Sequence, residues 1–427
     1  MSEADSAIHG QIDHIFRHEY GKLVAILTKT FGPANMELAE DVVQEAMLDA
    51  IRQWSYEGIP QNPVGWIYKV ARNKTINVIK QAQNRREKND KIVSTFQTDN
   101  TLDIDLEALF SNQAIADDQL RMMFTCCHPS ISADSQVALT LKTLCGFSIP
   151  EISQAFLTSE ENINKRLVRA RKTIREAEVP FEVPDIHELG FRLSRVLETI
   201  YLLFNEGYQA TEGNELIRYE LCEEAIRLAE TVASSQHISD KSEVFALLAL
   251  MSFNASRFKA RIDDQDNLLN LEHQDRKKWN QELIGKGLQY LEFSASQQKV
   301  SEYQILAAIS AHHCTAPNYE STDWQGILSL YDLLLQLSPS PLIELNRAVV
   351  ISKINSPGEA LEVIHAIKDQ ETLKAYPPYF TTTAELFYQN HQPEQALKHL
   401  RQAQKIPFGE NYKYLITRLL EKYSKKN

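Results

Sequence analysis

Between Ser148 and Lys172 the chain spells two helices joined by a tight turn, the second loaded with cations. Ser148-Ile149-Pro150-Glu151 has capping-box spacing, a hydroxyl for the first free amides and a glutamate three residues on to reach back. Ile152, Ala155 and Phe156 share one side of a short helix, and Leu157-Thr158-Ser159 makes the turn. Thr158 with Glu161 repeats the spacing and opens a longer helix. On it Ile163, Leu167, Ala170 and Ile174 recur at three- and four-residue steps, a stripe that holds the helix to a body. Lys165, Arg166, Arg169, Arg171, Lys172 and Arg175 then face outward. Such a helix-turn-helix fits the major groove of DNA. The same pattern describes a solvated amphipathic helix, so the rest of the chain has to decide.

The remaining pattern is helical too, and the expected fold class is all-α. Residues 8–30 carry one amphipathic period and 36–54 a second, with Leu38, Val42, Val43, Ala46, Met47, Ala50, Ile51 and Trp54 on one face. Asn62 is placed to cap a third helix over about 63–83. Ile67, Val70, Ala71 and Val78 then face the core, which exposes Tyr68. Pro- and charge-rich breaks give four segments: a helical domain over 8–90, a linker over 91–118 with one short helix, a helix-turn-helix domain over 119–177, and a larger helical extension over 187–427. In the extension Ile327-Leu328, Ala360-Leu361 and Ala396-Leu397 fall 33 and 36 residues apart, and Ala348 and Ala384 are 36 apart. That period predicts stacked, tetratricopeptide-like hairpins from about residue 320.

Net charge is −12, which at first argues against nucleic acid. The distribution reverses that. Positions 66–91 hold eight basic and two acidic residues, and 161–176 hold six and two, so two cationic patches sit in an acidic protein. The five cysteines are odd in number and show no paired spacing, which suits a reduced cytoplasmic chain. The polar start is no secretory signal, and no apolar run is long enough to predict a membrane span.

Residues 36–80 decide among the readings. Ala39-Glu40-Asp41-Val42-Val43-Gln44-Glu45-Ala46-Met47-Leu48-Asp49-Ala50 resembles the polymerase-binding helix of bacterial sigma factors. Trp66-Ile67-Tyr68-Lys69-Val70-Ala71-Arg72-Asn73-Lys74-Thr75-Ile76-Asn77 is similar to the helix after it, which engages the −10 promoter element. The 148–175 unit, with Arg166-Leu167-Val168-Arg169-Ala170-Arg171, is similar to the domain that reads the −35 element. In this order the motifs resemble the sigma-70 family, extracytoplasmic-function type. Phe124-Thr125-Cys126-Cys127-His128-Pro129, Tyr201 to Tyr208, Gln274 to Trp279 and Pro341 to Ala348 resemble the subgroup with a long carboxy-terminal helical extension. Asn77 stands where an aspartate is usual, Lys80 where an arginine is, and Lys165 where a serine is common. These departures bear on which promoter sequence is read.

The resemblance implies a role for each exposed set. Asp41, Gln44, Glu45, Leu48 and Asp49 would bind core RNA polymerase, through its β′ clamp, with the β subunit as a further contact. Tyr56, Asn62, Tyr68, Lys69, Arg72, Asn73 and Lys80 would handle the −10 element of promoter DNA. Asn162, Asn164, Lys165 and Arg166 would read −35 base edges, while Arg169, Arg171, Lys172 and Arg175 hold phosphates. Linker acids Asp99, Asp103, Asp105 and Glu107 would thread the polymerase cleft or form a plain solvated tether, and the extension would dock a protein partner or control the two readers. The loop with Trp54, Tyr56 and Asn62 is where the family captures a flipped −10 base, but Trp54 and Trp66 are read as core anchors in preference, with Tyr56 the better candidate for base contact. Cys126-Cys127-His128 and His312-His313-Cys314 lack zinc-site spacing and read as packing. No Gly-rich phosphate loop or catalytic signature is present, so neither enzyme chemistry nor a cofactor is expected. Two other classes stay open here: a stand-alone helix-turn-helix regulator with a repeat sensor, and a repeat scaffold with no DNA role.

Overall fold

A computed structural model describes residues 19–87, 112–156, 158–208, 217–263, 269–295, 300–369, 373–374, 376–406 and 410–424. Among these it is helical with no β-strand, as the periodicity predicts. The linker acids Asp99, Asp103, Asp105 and Glu107 lie outside the described residues. Contacts divide the chain into two compact units, residues 1–203 with 230–239, and residues 204–229 with 240–427.

The first unit opens with α1 (19–31), α2 (Met36–Glu57) and α3 (Pro63–Glu87). Val42, Val43, Ala46, Met47, Ala50 and Trp54 form the buried stripe of α2. Gly58, at φ 80°, ends that helix in the left-handed region that glycine enters at no steric cost. Asn62 caps α3, its Oδ1 accepting from the Gly65 amide at 2.9 Å. Two expectations for α3 need correction. Tyr68 is only 2% exposed and packs in the core beside Ile67 and Ala71, while Val78 is 44% exposed. The buried arc of α3 is therefore wider than a single stripe near its start and is lost before its end.

After α4 (Asn112–Cys126) and α5 (Ala133–Thr143) comes the helix-turn-helix, α6 (Ile149–Ala155) and α7 (Glu160–Glu176). The Ser148–Glu151 capping box forms in both directions. The second cap falls one residue later than the spacing predicts: Ser159, not Thr158, accepts from the Asn162 amide at 3.2 Å. Ile163, Leu167, Ala170 and Ile174 are all buried, and α7 packs on α5 and α6.

Within this unit the α1–α3 part and the α5–α7 part touch closely. A Cβ built on Gly21 would stand 2.0 Å from the carbonyl oxygen of Leu144, so only glycine fits where α1 meets the end of α5. Thr143 donates to Oε1 of Glu40 at 2.6 Å, and the turn at Pro33–Asn35 lies against α7. Lys29 reaches the buried Asp118 at 3.0 Å.

Helix α8 (Ile186–Tyr208) runs from the first unit into the second, and α9 spans Tyr219–Ser234. In the second unit α10 (Ser242–Ser256) is buried nearly all round, between α11 (Gln281–Ser294) and α12 (Glu302–Thr315). There follow α13 (Trp324–Leu337), α14 (Pro341–Ile354), α15 (Pro357–Ala366), α16 (Pro377–Gln389), α17 (Pro393–Ala403) and α18 (Glu410–Ser424). The hairpins α14–α15 and α16–α17 repeat one design. Pro341 and Pro377 start their first helices, Pro357 and Pro393 their second, each pair 36 residues apart. Proline at the first position costs no hydrogen bond and fixes φ for the helix. Ile327, Ala348, Ala360, Ala384 and Ala396 are all fully buried at the helix contacts, which is what the sequence period reflects.

Candidate nucleic-acid and polymerase interfaces

With its apolar stripe buried, α7 turns its other side to water. Asn162, Asn164, Lys165, Arg169, Lys172 and Arg175 are exposed and Arg166 is half-buried. Lys165 pairs with Glu161 at 2.6 Å and Lys172 with Glu176 at 3.6 Å, one helical turn away in each case. Exposed pairs of that kind are worth little and release readily. Arg166 lies 3.4 Å from Asp134, and Arg169 and Arg175 have no ion-pair partner among the described residues. The Asn162 side-chain Nδ2 donates to Thr158 Oγ1 at 2.6 Å, which fixes that side chain at the turn.

Arg171 does not share this face. It flanks the buried stripe, is 14% exposed, and donates to Glu37 at 2.9 Å and to Glu40 of α2. A free phosphate-holding role is thus corrected: in this arrangement the guanidinium is taken up by two carboxylates. Glu40 is itself buried. Burial holds its carboxyl above the usual glutamate range, opposed first by Arg171 and then by the Thr143 hydroxyl. Nothing in the helix-turn-helix motif signals this pair. The one hint in the chain is an acid at position 40, on the stripe with Met36, Val43 and Met47.

On α2, Asp41, Glu45 and Leu48 are exposed, Leu48 to 54%, while Gln44 and Asp49 are half-buried. Burial and the neighbouring Glu37 raise the Asp41 carboxyl. Lys74, which no sequence pattern singles out, crosses from α3 to Glu45 at 3.0 Å and Asp49 at 2.9 Å. Those two bonds raise its pKa. An exposed apolar side chain set among carboxylates makes a surface suited to a basic amphipathic partner.

At the end of α2, Tyr56 is 92% exposed. It stands at a hollow of about 400 Å3 between α2 and α3 whose other walls include Arg52, Gln53, Trp66 and Val70. Trp66 stacks edge-on against the buried Trp54 at 5.6 Å. Along α3, Lys69, Asn73 and Lys80 are exposed and Arg72 is half-buried; Tyr68, as above, faces inward. The hollow thus offers an aromatic ring, a planar indole and nearby cations, the ingredients for holding an unstacked base.

The cysteine–histidine clusters pack. Cys126, Cys127 and Cys314 are buried in the core, and burial pushes each thiol up.

Comparison with known proteins supplies the family. A family model for sigma-70 region 2 matches residues 15–85, and one for sigma-70 region 4 matches residues 121–174. The chain belongs to the sigma-70 family. A third model, a family of unknown function (DUF6596), matches residues 192–295, so this sigma factor carries a carboxy-terminal extension. An uncharacterized protein of Rhizobium meliloti (strain 1021) is 36% identical over 340 residues, covering 79% of this chain and 78% of its own. No solved structure matches. As a sigma factor the protein associates with core RNA polymerase, recognises promoter elements and initiates transcription. Sigma factors are non-enzymatic initiation factors. No helix among the described residues is long and apolar enough to cross a membrane.

Proposed function

We propose that the three surfaces divide the work of this sigma factor. The α2 ridge of Asp41, Gln44, Glu45, Leu48 and Asp49 takes the β′ clamp of the polymerase, whose basic groups compete with Lys74 for the same carboxylates; the β subunit is a further contact. Asn162, Asn164, Lys165 and Arg166 read −35 bases, with Arg169, Lys172 and Arg175 on phosphates. Tyr56, Asn62, Lys69, Arg72, Asn73 and Lys80 hold the opened −10 strand. Residues 187–427 act as a docking module. The observation that carries this reading is α7, whose apolar stripe is wholly buried while Asn162, Asn164, Lys165, Arg169, Lys172 and Arg175 stand in water.

The closed contact between α2 and α7 implies a step before promoter reading. The −35 and −10 centres are about 25 base pairs apart, roughly 85 Å at ~3.4 Å per pair. A compact unit of this size is only about 45 Å across. Both elements are therefore engaged at once only after Arg171 leaves Glu40 and the two parts separate.

Run-off transcription with the full-length protein and purified core polymerase on a promoter library tests the assignment. Core-dependent transcripts sharing a −35 and a −10 motif are expected. Specific DNA binding without polymerase, and no transcripts with it, would overturn the assignment. Tyr56→Ala gives a finer check. The side chain is in solvent, so the fold is unaffected, while removing one stacked base costs about 1–3 kcal/mol, or roughly 5- to 150-fold in open complex. Permanganate reactivity of −10 thymines should fall by that factor with −35 binding unchanged; equal reactivity removes Tyr56 from the melting surface.

A further inference from the structure

The stacked hairpins of the second unit help line a half-open cavity of about 310 Å3 that the sigma-factor roles above do not use. One wall follows the repeat. Asn346 and Thr382, Val349 and Glu385, and Lys353 and Gln389 all line it, each pair 36 residues apart on α14 and α16. Equivalent positions of two successive hairpins thus face the same space, which makes the cavity a product of the architecture. The other wall is aromatic. Tyr319 and Trp324 meet edge to face at 5.1 Å, and Trp324 meets His313 at 5.4 Å.

The charges in this space are unevenly matched. The Lys353 ammonium is committed, 5.3 Å from the Tyr319 ring centre and 3.4 Å from Glu272. His313 supplies no charge: burial, with Arg257 and Arg276 nearby, lowers its pKa to about 3, and its Nδ1 is buried without a hydrogen-bond partner. Glu385 is half-buried and accepts from Gln389 at 3.3 Å, with no cation on it among the described residues. It lies close enough to act electrostatically on Tyr319. Half-buried at the cavity wall, this carboxylate attracts cations, and the aromatic faces beside it bind the cations it attracts.

We propose that this cavity binds an organic cation, an ammonium or guanidinium group, with Glu385 as its counter-ion and Tyr319 and Trp324 as its aromatic bed. Lys353 over Tyr319 is the internal precedent for the contact. The neutral imidazole of His313 and the Asn346 amide supply polar partners for the rest of the ligand. The group could belong to a free diamine-like molecule or to a basic side chain of a protein. The proposal deepens the reading of residues 187–427 as a docking module, without depending on the promoter-reading surfaces.

Calorimetric titration of the full-length protein with agmatine, with a capped Gly-Arg-Gly peptide and with uncharged butylurea provides the test. At least one cationic probe should bind, and butylurea should not. Whichever cationic probe binds tighter identifies the source. E385Q, which keeps shape and removes charge, should weaken that probe at least tenfold, and Tyr319→Leu several-fold, with thermal midpoints unchanged. Equal affinity of E385Q and the parent, or butylurea binding as well as agmatine, would overturn the proposal, as would no binding of either cation. A protein partner captured equally well by E385Q would leave docking standing and remove this cavity from it.

Discussion

Replacing Arg171 with methionine should cost the first unit up to about 3 kcal/mol at neutral pH, because the buried Glu40 carboxyl then lacks its cation and must take up a proton. Methionine keeps most of the volume, so the loss reports charge rather than packing. The effect depends on pH, in a direction that can be worked out. Glu40 already has a folded pKa above its usual 4.5, and Arg171 is the strongest influence holding it down. A carboxyl with a raised folded value binds its proton more tightly when folded. Its contribution to stability is therefore fully present below the ordinary pKa and is lost as pH rises through the folded value. Without Arg171 that value climbs further, so the damage grows from pH 4.5 toward neutrality. Hydrogen exchange of α2 and α7 amides at two pH values measures it. Adding Glu40→Gln to Arg171→Met should recover most of the loss at neutral pH. A destabilisation that is flat with pH, or not rescued by glutamine, would show that Glu40 is not the group involved.

Changing Arg169, Lys172 and Arg175 together to alanine should lower promoter affinity across all sequences. Removing one cation from a phosphate reduces the salt slope of log K by about 0.9, or roughly 2.7 for three. The preference among −35 variants should stay as it was. Asn164→Ala and Arg166→Ala should do the reverse, relaxing discrimination by about 1–3 kcal/mol per base read with a smaller change in salt dependence. All but Arg166 are exposed, and Arg166 has only a 3.4 Å pair to Asp134 to lose, so folding should survive. Salt-dependent binding of the polymerase complex to matched and mismatched promoters separates the two classes. If the alanine triple left the slope unchanged, the outer face of α7 would not be the one on DNA.

What is legible in the sequence follows from range. The α7 stripe is readable because one buried side and one charged side repeat within a helix of 17 residues. The hairpin period is readable because alanines at tight helix contacts recur. Tyr68 defies the pattern because α3 buries a wide arc near its start, so the residue after Ile67 goes inside with it. The cap shifts by one because Thr158 and Ser159 are both hydroxyl residues at a turn. Arg171 looks like its neighbours because its partner Glu40 is 131 residues away, and no local pattern encodes that meeting. Lys74 escapes for a similar reason, since its role is to bridge carboxylates on another helix.

Gly21 gives the closed contact a genetic signature. The Leu144 carbonyl occupies the space where even a methyl group would go, so every missense change at that codon adds bulk to a seam with no slack. Such alleles would act as wedges, biasing the factor toward its separated form without touching a residue that meets promoter or polymerase.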